Sequence, residues 1–370
     1  MSTSISIANS EYGPFGGGIQ GQVLSDSLVT HRQLDTLTEQ AGSGLIADTY
    51  AGLGNGAATA LAVQPALTSL QTWQTDISAA TGPMQVSQTA LTQISAIASG
   101  FYAQIDTLNG LNPSAVDSVA ASARDALRQM AGLLDETDAG VYVFAGQDSA
   151  NPPVPNPDGI LNSGYFTQIQ QAVASLVTNG GGATIAATMT IATSNAAGTS
   201  PFSGALSQPA TSLAGLRPTI ATGAGQHAPV GILASANADV ASVGSSTSGS
   251  YMRDIMRALA TLGSLSSSQV GATGFSQLVA DTGASLGGAI TALNQDAGVL
   301  GDRQTQLQTR SSMISSTTLA LQAQLSGAQS VDMATTLSQL TQTQTRLQAS
   351  YQLIATLQSL SLVKFLPAGG

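Results

Sequence analysis

The chain of 370 residues contains no cysteine. Disulfides, thiolate metal sites and cysteine nucleophiles are therefore excluded. Lysine occurs once, as Lys364, and the two histidines, His31 and His227, stand far apart. Charged residues make up only 8% of the chain, where about 25% is usual in soluble domains. The net charge of -10 argues against nucleic acid as a partner, because phosphate binding requires a basic patch. No apolar run reaches the roughly 18 residues a membrane-spanning helix needs, so no membrane insertion is expected. Met1 to Gln20 lack the basic start and continuous apolar core of a cleaved secretory signal, which leaves a cytoplasmic protein or one exported without cleavage. The polar positions are filled by Ser, Thr, Gln and Asn, a surface suited to being covered.

What the chain has is a seven-residue apolar repeat near both ends. One series reads Val63, Leu70, Ile77, Met84, Leu91, Ala98 and Ile105, with a second three residues later at Ala66, Trp73, Ala80, Ser87, Ile94 and Phe101. Near the C-terminus, Leu293, Leu300, Leu307, Ile314 and Leu321 repeat with the same period. Each stripe is too narrow and too long for the face of a short globular helix and needs a helical partner alongside. The natural partner is the other end of the chain. The expected fold is mainly α: a long antiparallel, coiled-coil-like helical rod built from both termini, with a small α/β or β-containing inserted domain. Leu70, Trp73, Ile77, Met84, Leu91, Ile94, Phe101, Leu293, Leu300, Leu307, Ile314 and Leu321 form the expected rod core. Gln304, Ser311 and Thr318 fall at inner positions that a stable pair would fill with Leu or Val, so further helices or subunits are expected to complete the seam.

Punctuation divides the chain. Gly13-Pro14 and the glycines at 16 to 18 predict a flexible arm over 1–18. The N-terminal part of the rod follows over 19–146, beginning with a helix through Leu24, Leu28, Leu34, Leu37 and Ala41 that closes at Gly42 and Gly44. The long helix runs from about 58 to 108, where Gly82-Pro83 predicts a kink or a split, and a third helix opens at Asn112-Pro113-Ser114. Val141 to Phe144 read as a short strand. The inserted domain covers 147–250, with a helix over 164–177 and strands over 183–192, 216–221 and 229–233. A helix and loop over 251–274 lead into the C-terminal part of the rod, 275–366, interrupted at Ser326-Gly327, and a tail over 367–370.

Catalytic readings find little to stand on. His31 and Asp35 share a helix face at i, i+4, but a metal site needs three or four ligands, and a solvated face accounts for them. The glycine clusters at 16–18, 54–56 and 180–182 lack the following Lys-Ser or Lys-Thr of a phosphate loop. Gly283-Ala284-Ser285-Leu286-Gly287 matches the nucleophile elbow in letters yet sits in a helical repeat with no strand before it. Arg124, Arg128, Arg303 and Arg310 read as solvated charges available for pairs between subunits. An enzyme is not expected and no cofactor is implied; only a deep polar pocket between 150 and 250 would revive that reading.

Asp332-Met333-Ala334, Leu337, Leu340, Gln344, Leu347-Gln348-Ala349-Ser350-Tyr351 and Leu360-Ser361-Leu362 resemble the terminal helix of the bacterial flagellin family, including hook-filament junction proteins (the third hook-associated protein). Ser43-Gly44-Leu45 resembles that family's turn between its first two helices, and Val141-Tyr142-Val143-Phe144-Ala145-Gly146 the junction protein's strand after the third. The likeness covers about 20–146 and 250–366. It implies a structural subunit of the flagellum, exported unfolded by the type III route with an export chaperone, and assembled outside the cell with copies of itself and other axial proteins. Leu24, Leu28, Leu34, Leu37, Leu340, Leu347, Tyr351, Ile354 and Leu357 on the terminal helices would form the assembly interface. The rival reading is a coiled-coil stalk that presents its middle as an adhesin or scaffold.

Overall fold

The computed structural model describes residues 17–108 and 113–359. The expected arm lies outside the described residues up to position 16, as do Asn109, Gly110, Asn112 and the Leu360-Ser361-Leu362 element; the first helix begins at Gly17. The described helices are α1 (Gly17–Ser43), α2 (Gly56–Leu108), α3 (Pro113–Leu134), α4 (Gly164–Ala174), α5 (Leu176–Thr193), α6 (Ala210–Leu213), α7 (Tyr251–Gly263), α8 (Phe275–Gln329) and α9 (Met333–Ser359). The described strands form two antiparallel hairpins, β1 (Thr137–Asp138) with β2 (Val141–Tyr142) and β3 (Thr219–Gly223) with β4 (Gln226–Pro229). The protein is mainly α, with long helices packed on one another and a small β component.

The chain divides into two compact units. The first comprises residues up to 69 and from 317 onward. In it α1 packs along α9. The turn after α1 is tied to the break between α8 and α9: Ile46 N–H donates to the Gln329 carbonyl at 2.7 Å, and Val331 N–H donates to Gly44 O at 3.0 Å. Helix α8 runs through the expected interruption at Ser326-Gly327 and stops at Gln329. Asp332 then starts α9 by accepting from the N–H groups of Ala334 and Thr335 and from the Thr335 hydroxyl. Those bonds, the Thr335 backbone bond first, hold its carboxyl below the usual range, as expected of an N-cap aspartate.

The second unit spans residues 70–316. Its core joins Met84, Leu91 and Ile94 of α2, Leu127, Met130 and Leu134 of α3, and Leu286 and Leu293 of α8. Val154, Ile160, Phe166, Ile169, Phe202, Leu206 and Ile232 of the inserted segment belong to the same cluster. At the centre lies α7, all of whose residues are buried. The expected break at Gly82-Pro83 is absent, and α2 continues through it. A proline removes one helical hydrogen bond; here its neighbour Met84 is fully buried and the Ser87 hydroxyl donates to the Pro83 carbonyl at 2.8 Å, so tertiary burial offsets the loss. Gly82 lies against the first hairpin, where an added Cβ would meet the Asp138 carboxylate at 2.5 Å.

The strand expected over 183–192 is instead the helix α5. The threonines and isoleucines suggest β structure, but Thr184, Thr188 and Ala192 are buried at a spacing of four, which is a helical face. The hydroxyls of Thr184 and Thr190 donate to carbonyls four residues back, and that of Thr188 to one three back. A kink at Gly180, with φ of 78°, sets this run off from the start of α5. Gly181 then comes so close to Gly274 that a Cβ on Gly274 would lie 2.1 Å from the Gly181 nitrogen. The strands expected over 216–221 and 229–233 are displaced to β3 and β4, whose tight turn carries Gly225 at φ of 68°. The expected strand Val141–Phe144 is shortened to Val141–Tyr142, after a turn at Ala139 and Gly140 with positive φ at both; Phe144 is fully buried.

Burial pushes the Asp135 carboxyl up to about 6 from 3.8, against the hydrogen bond it accepts from Val154 N–H at 2.8 Å. Folding thus favours the neutral acid. The stability it provides is complete below about pH 4 and is lost as pH rises through about 6. Asp135→Asn keeps an acceptor for Val154 and is expected to raise stability at about pH 8 by about 1–2 kcal/mol, less than the full shift implies because water screens this half-buried position, while leaving it unchanged at about pH 4. Thermal melts of the two proteins across that interval test this; parallel pH profiles would refute it.

Candidate assembly surface

In the first unit the seam between α1 and α9 follows alternating steps of four and three. On α1 the positions turned inward are Val23, Ser27, Thr30, Leu34, Leu37 and Ala41; on α9 they are Thr336, Leu340, Thr343, Leu347, Ser350 and Ile354. Leu37 is 5% exposed and Leu347 8% exposed, and Leu34, Leu340 and Ile354 are half-buried. About half of the seam is Ser or Thr. A buried leucine contributes roughly 2 kcal/mol that a serine does not, so this pair holds together with few apolar contacts.

Off the seam a second set of large apolar side chains faces out. Leu24 and Leu28 are 58% and 60% exposed, and Tyr351 is more than half exposed. The structure therefore splits the sequence-predicted interface set. Leu34, Leu37, Leu340, Leu347 and Ile354 are taken up between the chain's own helices, whereas Leu24, Leu28 and Tyr351 remain open. The Leu357 side chain lies outside the described residues. Val29, Leu337 and Leu353 are equally open; Leu337 was named in the terminal-helix likeness but not placed in the interface set, and Val29 and Leu353 were missed because they fall outside the Leu spacing used to find the stripe. Scattered exposed leucines are unremarkable, but two facing helices each carrying an outer apolar set describe a surface left to be covered.

The rod-core residues fall as follows. Ile77, Met84, Leu91, Ile94 and Phe101 of α2 and Leu293, Leu300, Leu307 and Ile314 of α8 are buried, while Leu70, Trp73 and Leu321 are half-buried. The polar inner position Ser311 accepts a hydrogen bond from the Gln74 amide at 2.6 Å. The four arginines read as solvated each have a partner within the chain: Arg124 bonds the Gly263 carbonyl, Arg128 pairs with Asp125, Arg303 pairs with Asp239 and Arg310 bonds the Thr222 carbonyl. Asp239 also pairs with Arg217. Burial opposes its ionisation, and the two guanidiniums outweigh that and hold its carboxyl below the usual value.

Buried charge concentrates on α7. Arg257, 2% exposed at its side chain, pairs with Asp281 at 3.3 Å and donates to the Ser246 hydroxyl at 2.9 Å and to Thr188. Asp254 accepts from the Thr247 hydroxyl and Ser248 N–H, yet burial still raises its pKa. Arg253 donates from Nε to Ser235 O at 3.0 Å, from Nη1 to Ala192 O and Ser194 O, and from Nη2 to Asn195 Oδ1 at 2.7 Å. Its guanidinium also lies 5.1 Å from the Phe202 ring centre. Nearby, Asp296 accepts from three successive N–H groups at Ala238, Asp239 and Val240, fastening the loop before α7 onto α8. Sequence reasoning treated Tyr251 to Leu262 only as a helical period. Three charges inside one apolar helix, in a chain so poor in charge, were the signal available.

The chemical candidates do not converge. His31 and Asp35 are hydrogen-bonded at 3.1 Å on an exposed face, and no group of three metal-capable side chains occurs among the described residues. Gly283 lies within α8 against Ile105 of α2, and Ser285 is buried on the same helix, not at an elbow. No described helix is long and apolar enough to cross a membrane. A comparison with curated proteins finds no match. Residues 284–366, which run from within α8 through all of α9, match the family described as the bacterial flagellin C-terminal helical region. Over that stretch the chain is similar to the C-terminal helical region of bacterial flagellins.

Proposed function

We propose that this chain is a structural subunit of the bacterial flagellum, a filament flagellin or a hook-filament junction protein, that assembles through the open faces of α1 and α9. The observation that carries this reading is the conjunction of the flagellin C-terminal match over 284–366 with a terminal helix pair whose own seam leaves Leu24, Leu28, Leu337 and Tyr351 exposed. Its partners are then copies of itself and neighbouring axial proteins, with an export chaperone before assembly, and its place is the extracellular flagellum. Its role is architectural rather than catalytic.

Electron microscopy of the purified protein at rising concentration, with and without flagellar fragments as seeds, tests the proposal. Long filaments identify a flagellin; decoration confined to hook ends identifies a junction protein. Protein inert in both settings would overturn the reading in favour of an adhesin or scaffold. A finer test separates the two faces of the pair. Leu28→Ser with Leu337→Ser is expected to leave the monomer's melting unchanged within about 0.5 kcal/mol and to suppress seeded growth. Leu37→Ser, in the seam, is expected to loosen the terminal helices themselves, by about 2 kcal/mol, seen as a loss of helical circular dichroism. Equal effects on growth and on folding for both variants would show that the outer face has no separate part in assembly.

A further inference from the structure

A cavity of about 370 Å³ opens in the second unit beside the end of α5, the short helix α6 and the start of α7. Its size is that of a small-molecule site. Its lining carries the guanidiniums of Arg217 and Arg253 and no carboxylate, histidine or lysine. Serines are present without a base to activate them, so the wall offers binding groups rather than the parts of a hydrolase.

The two guanidiniums differ. Arg217 is neutralised by Asp239 at 3.1 Å. Arg253 is 6% exposed and forms no ion pair among the described residues; its neighbour Asp254 is engaged by Thr247 and Ser248. Arg253 therefore presents a buried positive charge whose direct hydrogen-bond partners are all neutral oxygens, with the Asp254 carboxylate acting on it only through space, an arrangement that favours an anion entering its reach. A guanidinium has five N–H donors. Four of those of Arg253 are spent on Ser235, Ala192, Ser194 and Asn195. The remaining one, on Nη2, and the amide nitrogen of Asn195 have no acceptor among the described residues. Together they form a pair of donors suited to the two oxygens of a carboxylate. At the rim, Gln208 donates its amide N–H to Gly204 O and keeps its carbonyl oxygen for a hydroxyl donor.

We propose that this cavity binds a small hydroxy-carboxylate of the uronic-acid class, its carboxylate on Arg253 and Asn195 and a hydroxyl on Gln208. The site is separate from the terminal helices and does not depend on the assembly reading. Titration calorimetry of the full chain with sodium glucuronate, with glucose and inorganic phosphate as comparisons, tests it. The expected result is saturable glucuronate binding with Kd below ~1 mM, at least tenfold tighter than either comparison. Ala214→Trp, at an exposed position of the cavity wall, fills the space, and Asn195→Asp removes the donor while keeping the oxygen that accepts from Arg253; each is expected to weaken binding at least tenfold while melting and assembling as the parent does. If one variant fails to fold, the other decides. Absence of saturation at ~20 mM glucuronate, equal binding of glucose or phosphate, or binding indifferent to the folded variant would overturn the proposal.

Discussion

A chain that stops at Val331 is expected to keep a folded helical body over residues 70–316 and to lose assembly outright. The buried cluster of the second unit draws on residues between Ile77 and Ile314, so its core does not call on α9. What the truncation removes is the helix against which α1 lies, and with it the partners of Leu34 and Leu37 and the open side chains of Leu337, Tyr351 and Leu353. Helix α1 alone has a seam of Val23, Ser27, Thr30, Leu34 and Leu37, too polar to stay ordered without a neighbour. Leu347→Asp is expected to act in the same direction from a single position, because a carboxylate in the seam must be dehydrated without a partner. Seeded growth and swimming of cells that carry the truncated chain are the readouts. Normal motility would sink the idea that the terminal pair drives assembly, whereas a truncated protein without a cooperative melt would show that the second unit depends on the first.

The heptad stripes were legible because they repeat: from Ile77 to Phe101, and from Leu293 to Ile314, every member is buried, and only beyond those runs do Leu70, Trp73 and Leu321 become half-buried. Repetition lets one pattern be checked many times, and a single proline at 83 cannot undo it when Met84 and Ser87 are held inside. The terminal seam was harder to read. Its true positions on α1 include Ser27 and Thr30, and the eye goes instead to Leu24 and Leu28, one residue along and about 100° around the helix. Those two prove to face outward. Helix α5 was hidden for a different reason: threonine favours strands as an isolated residue, but its hydroxyl can bond a carbonyl one turn back, and a spacing of four then matters more than residue type. Beyond the helix expected over 164–177, the inserted segment offered no pattern from which to foresee that Val154, Phe166 and Leu206 would share a core with α2, α3 and α8. Such contacts are non-local, and no local pattern encodes them.

Arg257→Met should be the most damaging single substitution in the second unit, costing about 3–5 kcal/mol. At the size of this unit that corresponds to a fall in melting temperature of roughly 10 °C or more. Methionine fills much of the same space, so the loss would come from charge and hydrogen bonding rather than from a cavity. Without the guanidinium, Asp281 keeps only the Ser246 hydroxyl at 2.8 Å, and that hydroxyl itself loses the donor it accepts from Arg257. The position is unforgiving because α7 is buried on every side and the Asp281 side chain, 17% exposed, has little water to replace the lost guanidinium. Removing Asp281 as well separates pairing from generic burial. In the double variant Arg257→Met with Asp281→Leu, the stranded carboxylate is gone, and stability is expected to recover by at least about 1.5 kcal/mol over Arg257→Met alone. Chemical denaturation of the parent, both single variants and the double variant gives the coupling directly. Strict additivity, within about 0.5 kcal/mol, would mean that Arg257 is held by its carbonyl and hydroxyl partners and that its ion pair contributes nothing to the stability of the helix at the centre of the fold.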